Sequence, residues 1–304
     1  MTAIRISSIS KTFQQRKGAV HALSGVSLSV PAGTVYGFLG QNGAGKTTLI
    51  KILLGLTRHT DGDFSLLGAP ASSTEIRKRI GYLPENHRFP PFLTGSQVML
   101  YFGMMNGVSK AEAQRKIPSL LEMVKMQDWA NRKIKTYSKG MMQRLGLAQA
   151  MLHNPDILFL DEPTDGVDPI GRMEIREILL RLKNEGKTIF LNSHLLSEVE
   201  MVCDKVGIIH HGKLVQEGSV SDMTGAGNEF IITFEYLPDE ALADGKRISD
   251  SQLSLLVKST EDLNRHIDVW RNSGLLITGI TKGKKSLESI FIQNIAENDK
   301  GGKI

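Results

Sequence analysis

The sequence predicts an α/β chain built on a sheet of buried parallel strands, and three stretches carry that prediction. The apolar run Val35-Tyr36-Gly37-Phe38-Leu39 passes through a glycine-rich turn into a helical run over 48–54. Ile157-Leu158-Phe159-Leu160 ends in two carboxylates, Asp161 and Glu162. Thr188-Ile189-Phe190-Leu191 runs into Asn192-Ser193-His194. Short apolar runs with polar groups at their carboxyl ends describe strands covered on both faces, and ligands bind at that end of open α/β sheets.

In chain order, residues 3–9 and 26–30 alternate apolar and polar side chains and read as strands, with Pro31-Ala32-Gly33 as the turn before the buried strand at 35–39. Phe13 follows the first of these strands; an aromatic there can stack on a purine ring or pack as a core or edge phenylalanine.

Gly40-Gln41-Asn42-Gly43-Ala44-Gly45-Lys46-Thr47 then matches G-x-x-x-x-G-K-[ST] at every fixed position, between a strand and a helix. Glycines let the backbone wrap an anion with its N–H groups turned inward. The positive end of the helix, from Thr48 onward, faces the same anion. Lys46 would reach the β- and γ-phosphates, and the Thr47 hydroxyl would ligate Mg²⁺. The chain is therefore expected to bind a nucleoside triphosphate.

From about 83 to 152 the pattern turns helical, over 98–105, 110–126 and 142–152. Thr94 and Gln97 have capping-box spacing, so the first of these helices is expected to begin after Thr94. Pro118 breaks the period of the middle segment and is expected to separate two shorter helices. The eight methionines at 99, 104, 105, 123, 126, 141, 142 and 151 are expected mostly in the core, although methionine-rich faces suit a partner that shifts position.

Asp161, at the end of its strand, would hold Mg²⁺ directly or through water, and Glu162 would polarise an attacking water. His194 ends another strand of the sheet and is a candidate for contacting a γ-phosphate. His210 and His211 precede Gly212 in a hairpin turn. Neighbouring strand residues point to opposite faces, so the two are not expected to share a metal.

Composition narrows the class. A 304-residue chain with 40% hydrophobic and 23% charged residues is an ordinary soluble protein, long enough for a large domain and a small one. Its start, Met1-Thr2-Ala3-Ile4-Arg5-Ile6, lacks the basic and apolar regions of a signal peptide. The single cysteine, Cys203, cannot form an internal disulfide, which fits a reducing cytosol. The uncharged run 89–109 holds Pro90-Pro91 and three glycines and is a poor membrane span. Residues 1–224 carry 27 basic and 20 acidic side chains and residues 225–304 carry 10 and 12, so the positive excess lies in the phosphate-binding part. No basic stripe with interleaved aromatics is present, and a nucleic-acid partner is not expected. The excess suits an anionic nucleotide and a nearby anionic lipid surface.

Taken in order, these motifs resemble the ATP-binding subunit of an ABC transporter over about residues 3–220. Tyr137-Ser138-Lys139-Gly140-Met141 stands where the family has its LSGGQ signature, and Glu85 stands at the Q-loop. Asp161-Glu162 matches the Walker B pair, Thr164-Asp165-Gly166-Val167-Asp168 the D-loop, and Ser193-His194 the H-loop. Phe13 falls where the family stacks an aromatic on adenine.

The resemblance implies a P-loop ATPase core: a RecA-like mixed sheet, an antiparallel β subdomain and a helical signature subdomain at about 84–152. It implies Mg·ATP held between two copies, each phosphate loop facing the other copy's Ser138, Gly140 and Met141, with Asp168 nearby. Lys46, Glu162 and His194 would be catalytic, and Thr47, Asp161 and Glu85 would attend the metal. Lys139, Met141 and Glu85 depart from the family's Gly, Gln and Gln. That wording is similar to the subfamily serving ABC-2-type permeases, mostly exporters. The implied partner is a separate integral membrane permease, with this chain peripheral on the cytoplasmic face of the membrane. The alternative is a soluble ABC ATPase acting on ribosomes or nucleic acid, but a single phosphate loop and the lack of sustained heptads weigh against it.

Beyond a linker near Thr224-Gly225-Ala226-Gly227, residues 225–304 read as a small α+β appendage. Strands are expected at 229–236, 253–257 and 275–280 and helices at 260–271 and 286–296. Phe230, Ile232, Phe234 and Tyr236 share one face of the first strand.

Overall fold

The structure is a computed structural model describing residues 1–16, 18–70, 73–225, 229–237, 245–283 and 286–301. Its strands, in chain order, are β1 (Thr2–Gln15), β2 (Gly18–Pro31), β3 (Val35–Leu39), β4 (Asp61–Leu66), β5 (Ala69–Pro70), β6 (Ile80–Leu83) and β7 (Ile157–Asp161). They continue with β8 (Thr188–Ser193), β9 (Lys205–His210), β10 (Lys213–Ser219), β11 (Glu229–Phe234), β12 (Lys246–Ser249), β13 (Gln252–Leu256) and β14 (Ile277–Lys282). The chain divides into two compact units, one of Met1–Ser219 with Asn294–Ile304 and one of Val220–Gln293.

The first unit holds two sheets. One is antiparallel, in the order β2-β1-β4-β5; the other runs β10-β9-β3-β8-β7-β6. In the second sheet β9, β3, β8, β7 and β6 pair in parallel, and β10 adds antiparallel to β9. Every residue of β3, β7 and β8 is buried, as their unbroken apolar patterns demand. The rings of Tyr36, Phe38 and Phe159 each pack against that of Phe190, with centroids 5.5–5.6 Å apart. They join Ile4, Ile6, Val26 and Phe64 of the antiparallel sheet in one core. All the parallel strands therefore deliver their carboxyl ends to one edge of the sheet.

The helices of this unit are α1 (Lys46–Leu53), α2 (Thr74–Arg77), α3 (Gly95–Met105), α4 (Lys110–Met123), α5 (Lys139–Met151), α6 (Pro169–Asn184) and α7 (Leu196–Val202). Helix α3 begins with the capping box expected at Thr94: the Gln97 amide N–H donates to Thr94 Oγ1 and the Gln97 side chain accepts from the Thr94 N–H. Pro118 does not separate two helices, contrary to the sequence reading; α4 runs through it. Proline only removes one backbone donor and crowds one turn, and the face of Ala113, Ile117 and Leu121 is buried continuously on either side of it. Of the eight methionines, four are buried (99, 126, 141 and 151), while Met104 and Met105 are well exposed on α3.

The second unit contains the sheet β12-β13-β11-β14, with α8 (Val220–Thr224) and α9 (Thr260–Asn272); α10 (Leu287–Gly301) starts in this unit. Ile232, Phe234, Leu253, Leu255, Ile267 and Trp270 form its core, and Phe234 meets the Trp270 ring edge-to-face at 5.3 Å. Tyr236, placed by the sequence on the same face as Phe234, lies past the end of β11 and is 73% exposed. β12 escapes the sequence reading because its four residues, Lys246-Arg247-Ile248-Ser249, are all exposed and carry no buried alternation. The main stretch of the first unit ends at Ser219, five residues before the boundary read from the sequence, and the chain from Asn294 on, expected in the appendage, groups with that unit; Ala226 and Gly227 of the expected linker lie outside the described residues.

Candidate nucleotide-binding site

Four strand ends supply the site. The chain leaves β3 at Leu39 into the glycine loop, and close approach dictates the glycines there. A Cβ on Gly40 would lie 2.6 Å from the Ile209 carbonyl oxygen, and one on Gly45 would overlap the Ala22 carbonyl oxygen. Gly45 also holds φ at 110° as the N-cap of α1, a conformation that side chains rarely adopt. Helix α1 opens directly after it, so the first N–H groups, which have no partner inside the helix, face the loop. Within the loop the Lys46 ammonium donates to the carbonyls of Gly40 (2.6 Å) and Gln41 (3.2 Å). Burial holds the Lys46 pKa below its ordinary value, opposed by the nearby carboxylates of Glu162, Asp161 and Glu85.

The loop forms one wall of a cleft of about 490 Å³, through Asn42, Gly43, Gly45, Lys46, Thr47 and Thr48. Glu85, Asp161, Glu162, Asp165, Asn192 and His194 form the other. The structure thus brings Lys46, Thr47, Thr48, Glu85, Asp161, Glu162 and His194 of the sequence reading to one place. Gly40, Gln41 and Ala44 belong to the loop without lining the cleft. Phe13 lies outside the lining, on β1 rather than after it. It is 38% exposed, with the Lys11 ammonium 4.7 Å from its ring centroid. Ala22, on the neighbouring β2, does reach the cleft.

Asp161 and Glu162, consecutive in the chain, do different things. The Asp161 carboxylate accepts from the Asn192 amide (2.5 Å) and the Thr47 hydroxyl (3.4 Å), both through Oδ1. Glu162 turns away because its φ is 53°; its N–H donates to the Asn192 carbonyl at 2.9 Å. The Glu162 Oε2 then accepts from both the ring Nδ1 of His194 (2.8 Å) and its backbone N–H (3.3 Å). Burial raises the pKa of both acids. For Glu162 a raised pKa means a stronger base than an exposed glutamate, which suits a group that accepts a proton from water.

Carboxylates at 85, 161, 162 and 165 thus converge where phosphates would bind, with Lys46 as the buried cation. An oxygen-only donor set of hydroxyl and carboxylates fits a hard divalent cation such as Mg²⁺, which takes few protein ligands. Among the described residues no group of three or more His, Cys, Asp or Glu side chains could hold a metal by itself.

The signature residues do not line this cleft. Ser138 caps α5, its Oγ accepting from the Met141 N–H at 3.2 Å, while the Met141 sulfur takes the reciprocal place of a glutamine at 3.5 Å from the Ser138 nitrogen. Lys139 pairs with Asp165 at 2.6 Å, and its side chain crosses Gly166, where a Cβ would collide with it. Asp168 is consumed as the N-cap of α6, accepting from the Gly171 N–H at 2.8 Å.

Three neighbours went unread in the sequence. Gln143 on α5, 2% exposed, donates to the Glu162 carbonyl at 3.5 Å. His87 spans the Glu85 loop and α5, with Nδ1 at 3.1 Å from the Pro84 carbonyl and Nε2 at 2.9 Å from that of Met142. Asn192 was passed over as part of a strand end. A polar residue inside an apolar strand run was the available signal for it.

His210 and His211 do not take opposite faces as strand alternation would place them. Their rings lie 4.0 Å apart, because His211 has φ of 46° and breaks the strand alternation on which that expectation rested.

An ABC transporter family model matches residues 23–165. The chain is 39% identical to an uncharacterized ABC transporter ATP-binding protein of Synechocystis sp., over 96% of this chain and 83% of the relative. It is 42% identical to the bacitracin transport ATP-binding protein BcrA of Bacillus licheniformis, over 96% of this chain and 90% of that one. Among solved structures, the dimeric structure of a bacterial ABC transporter cassette overlays with a TM-score of 0.66 at 24% identity. The overlay covers 71% of this chain and 98% of that one, and it establishes the shared fold.

Proposed function

The chain belongs to the ABC transporter family of ATP-binding ATPases, and from that premise we propose that two copies close on Mg·ATP to drive a separate membrane permease of ABC-2 type that exports its cargo. One observation carries this reading. The catalytic cleft contains a phosphate loop and both acids, yet the capped N-terminus of α5, with Ser138 and Gly140, does not line it. A second copy facing head to tail would bring that helix end, with its N–H groups and positive dipole, to the open side of the nucleotide. One similar protein is named for the transport of bacitracin, which supports a transport role.

In this reading the loop N–H groups and Lys46 orient the β- and γ-phosphates, and Phe13 stacks on the base. Glu162 accepts the proton of the attacking water as it adds in line to the γ-phosphorus, the bond to the β,γ-bridging oxygen breaks and ADP leaves with that oxygen, and His194, hydrogen-bonded to Glu162, holds the carboxylate in place. A magnesium ion attended by Thr47, Asp161 and Glu85 would neutralise charge on the phosphate oxygens. No helix among the described residues is long and apolar enough to cross a membrane. Attachment to the cytoplasmic face of the membrane is therefore assigned to the permease.

Size-exclusion chromatography tests the core of the proposal. With Mg·ATP the Glu162→Gln variant should elute as a dimer and without nucleotide as a monomer; a variant that stays monomeric in saturating ATP would remove the two-copy site.

A further inference from the structure

Asn192 presents a physical puzzle. It lies near the end of β8, between β3 and β7, and is 1% exposed in a strand whose every residue is buried. A carboxamide there has lost its water, and each hydrogen bond left unmade is destabilising. Only one end of the amide is engaged. Nδ2 donates to Asp161 Oδ1 at 2.5 Å, while Oδ1 is buried with no hydrogen-bond partner. The opposite orientation of the amide would press an acceptor against the carboxylate, so chemistry fixes which end faces Asp161. A leucine of similar size would fill the same space without an unpaired oxygen. Packing and stability therefore do not account for an amide at this position.

Register does account for it. The parallel pairing of β7 and β8 sets Asn192 directly beside Asp161. Both side-chain hydrogen bonds to the Asp161 carboxylate fall on Oδ1. The carboxylate is thereby held by one oxygen and leaves Oδ2 for another ligand.

We infer that Asn192 is a positioning residue for the divalent cation that accompanies the nucleotide: its amide pins Asp161 through Oδ1 and so presets Oδ2 for the cation's coordination shell. The inference rests on the reading of Asp161 as a metal-attending residue. Partners that orient a metal-binding group through a hydrogen bond commonly contribute about 10- to 100-fold to metal affinity.

The test measures the affinity of the full chain for a non-hydrolysable ATP analogue by calorimetry, once in EDTA and once in Mg²⁺, so no turnover enters the readout. For wild type the cation should tighten binding. In Asn192→Leu the EDTA affinity should stay within about twofold while the magnesium enhancement shrinks by about tenfold. The thermal midpoint should be equal or higher. Asn192→Val gives the same comparison with a smaller side chain if leucine does not fit. Enhancement retained in either folded variant overturns the inference alone, and a lowered midpoint with it would mark Asn192 as purely structural. Absence of any enhancement in wild type overturns the metal reading of Asp161 and this inference together.

Discussion

Glu162 joins a strained backbone to the task of a base. Its φ of 53° is costly for a residue with a side chain, of the order of 1–3 kcal/mol, and surrounding contacts hold it there. The N–H donates to Asn192, the carbonyl accepts from Gln143, and the carboxylate accepts from His194. Glu162→Gln keeps the shape and the contact to His194 but removes the basic oxygen. Phosphate release should fall by about 10²- to 10⁴-fold while ATP still binds. Near-normal turnover would take the role of base away from Glu162. Cys203 is the contrasting case. Burial and the neighbouring Asp204 push its thiol above the ordinary range, and only the thiolate reacts. Alkylation with iodoacetamide at neutral pH should therefore be negligible in the native protein and rapid in denaturant. Fast labelling of folded protein would contradict that burial.

At the scale of elements, α5 connects what the cleft and the signature each contribute. Its start carries Ser138 and Gly140, its first turns reach Glu162 through Gln143, and Met142 meets His87 of the Glu85 loop. Gly146 makes that approach possible. A Cβ there would sit 2.6 Å from the Leu83 side chain and 2.9 Å from His87 Nε2. In Gly146→Ala, better helix propensity gains about 1 kcal/mol. Overpacking costs about 1–3 kcal/mol, and His87, tied to two carbonyls, gives way poorly. The net should be a loss of about 1 kcal/mol, visible as a lowered thermal midpoint; an unchanged or raised midpoint would mean the Glu85 loop moves aside freely.

For the molecule as a whole, the proposed function requires that hydrolysis be felt by a permease. Phe92, Tyr101, Met104 and Met105 are more than half exposed on and beside α3, an uncharged surface in the same unit as the Glu85 loop. In the proposed transporter this surface receives a cytoplasmic helix of the permease. Phe92→Asp should leave ATP binding and the fold intact and should abolish cargo export in cells carrying the permease. Undiminished export would place the docking surface elsewhere. The second unit has its own core around Phe234 and Trp270.

The sequence by itself determined the parts whose physics is local. A glycine loop between a strand and a helix needs only adjacent residues to make an anion cradle, and buried parallel strands announce themselves by unbroken apolar runs. Thr94 and Gln97, three residues apart, could be read as a cap for the same reason. Tertiary structure decided whatever depends on strand register or on groups distant in the chain. Asn192 meets Asp161 across 31 residues because β7 and β8 pair in one particular alignment. Lys139 meets Asp165, and His87 meets Met142, only once α5 packs beside their loops. The His210 and His211 rings come together because one backbone torsion overrides the alternation of a strand. Local pattern fixes which groups exist, but a shift of one residue in register reverses the face each occupies, so their meeting is a property of the folded chain.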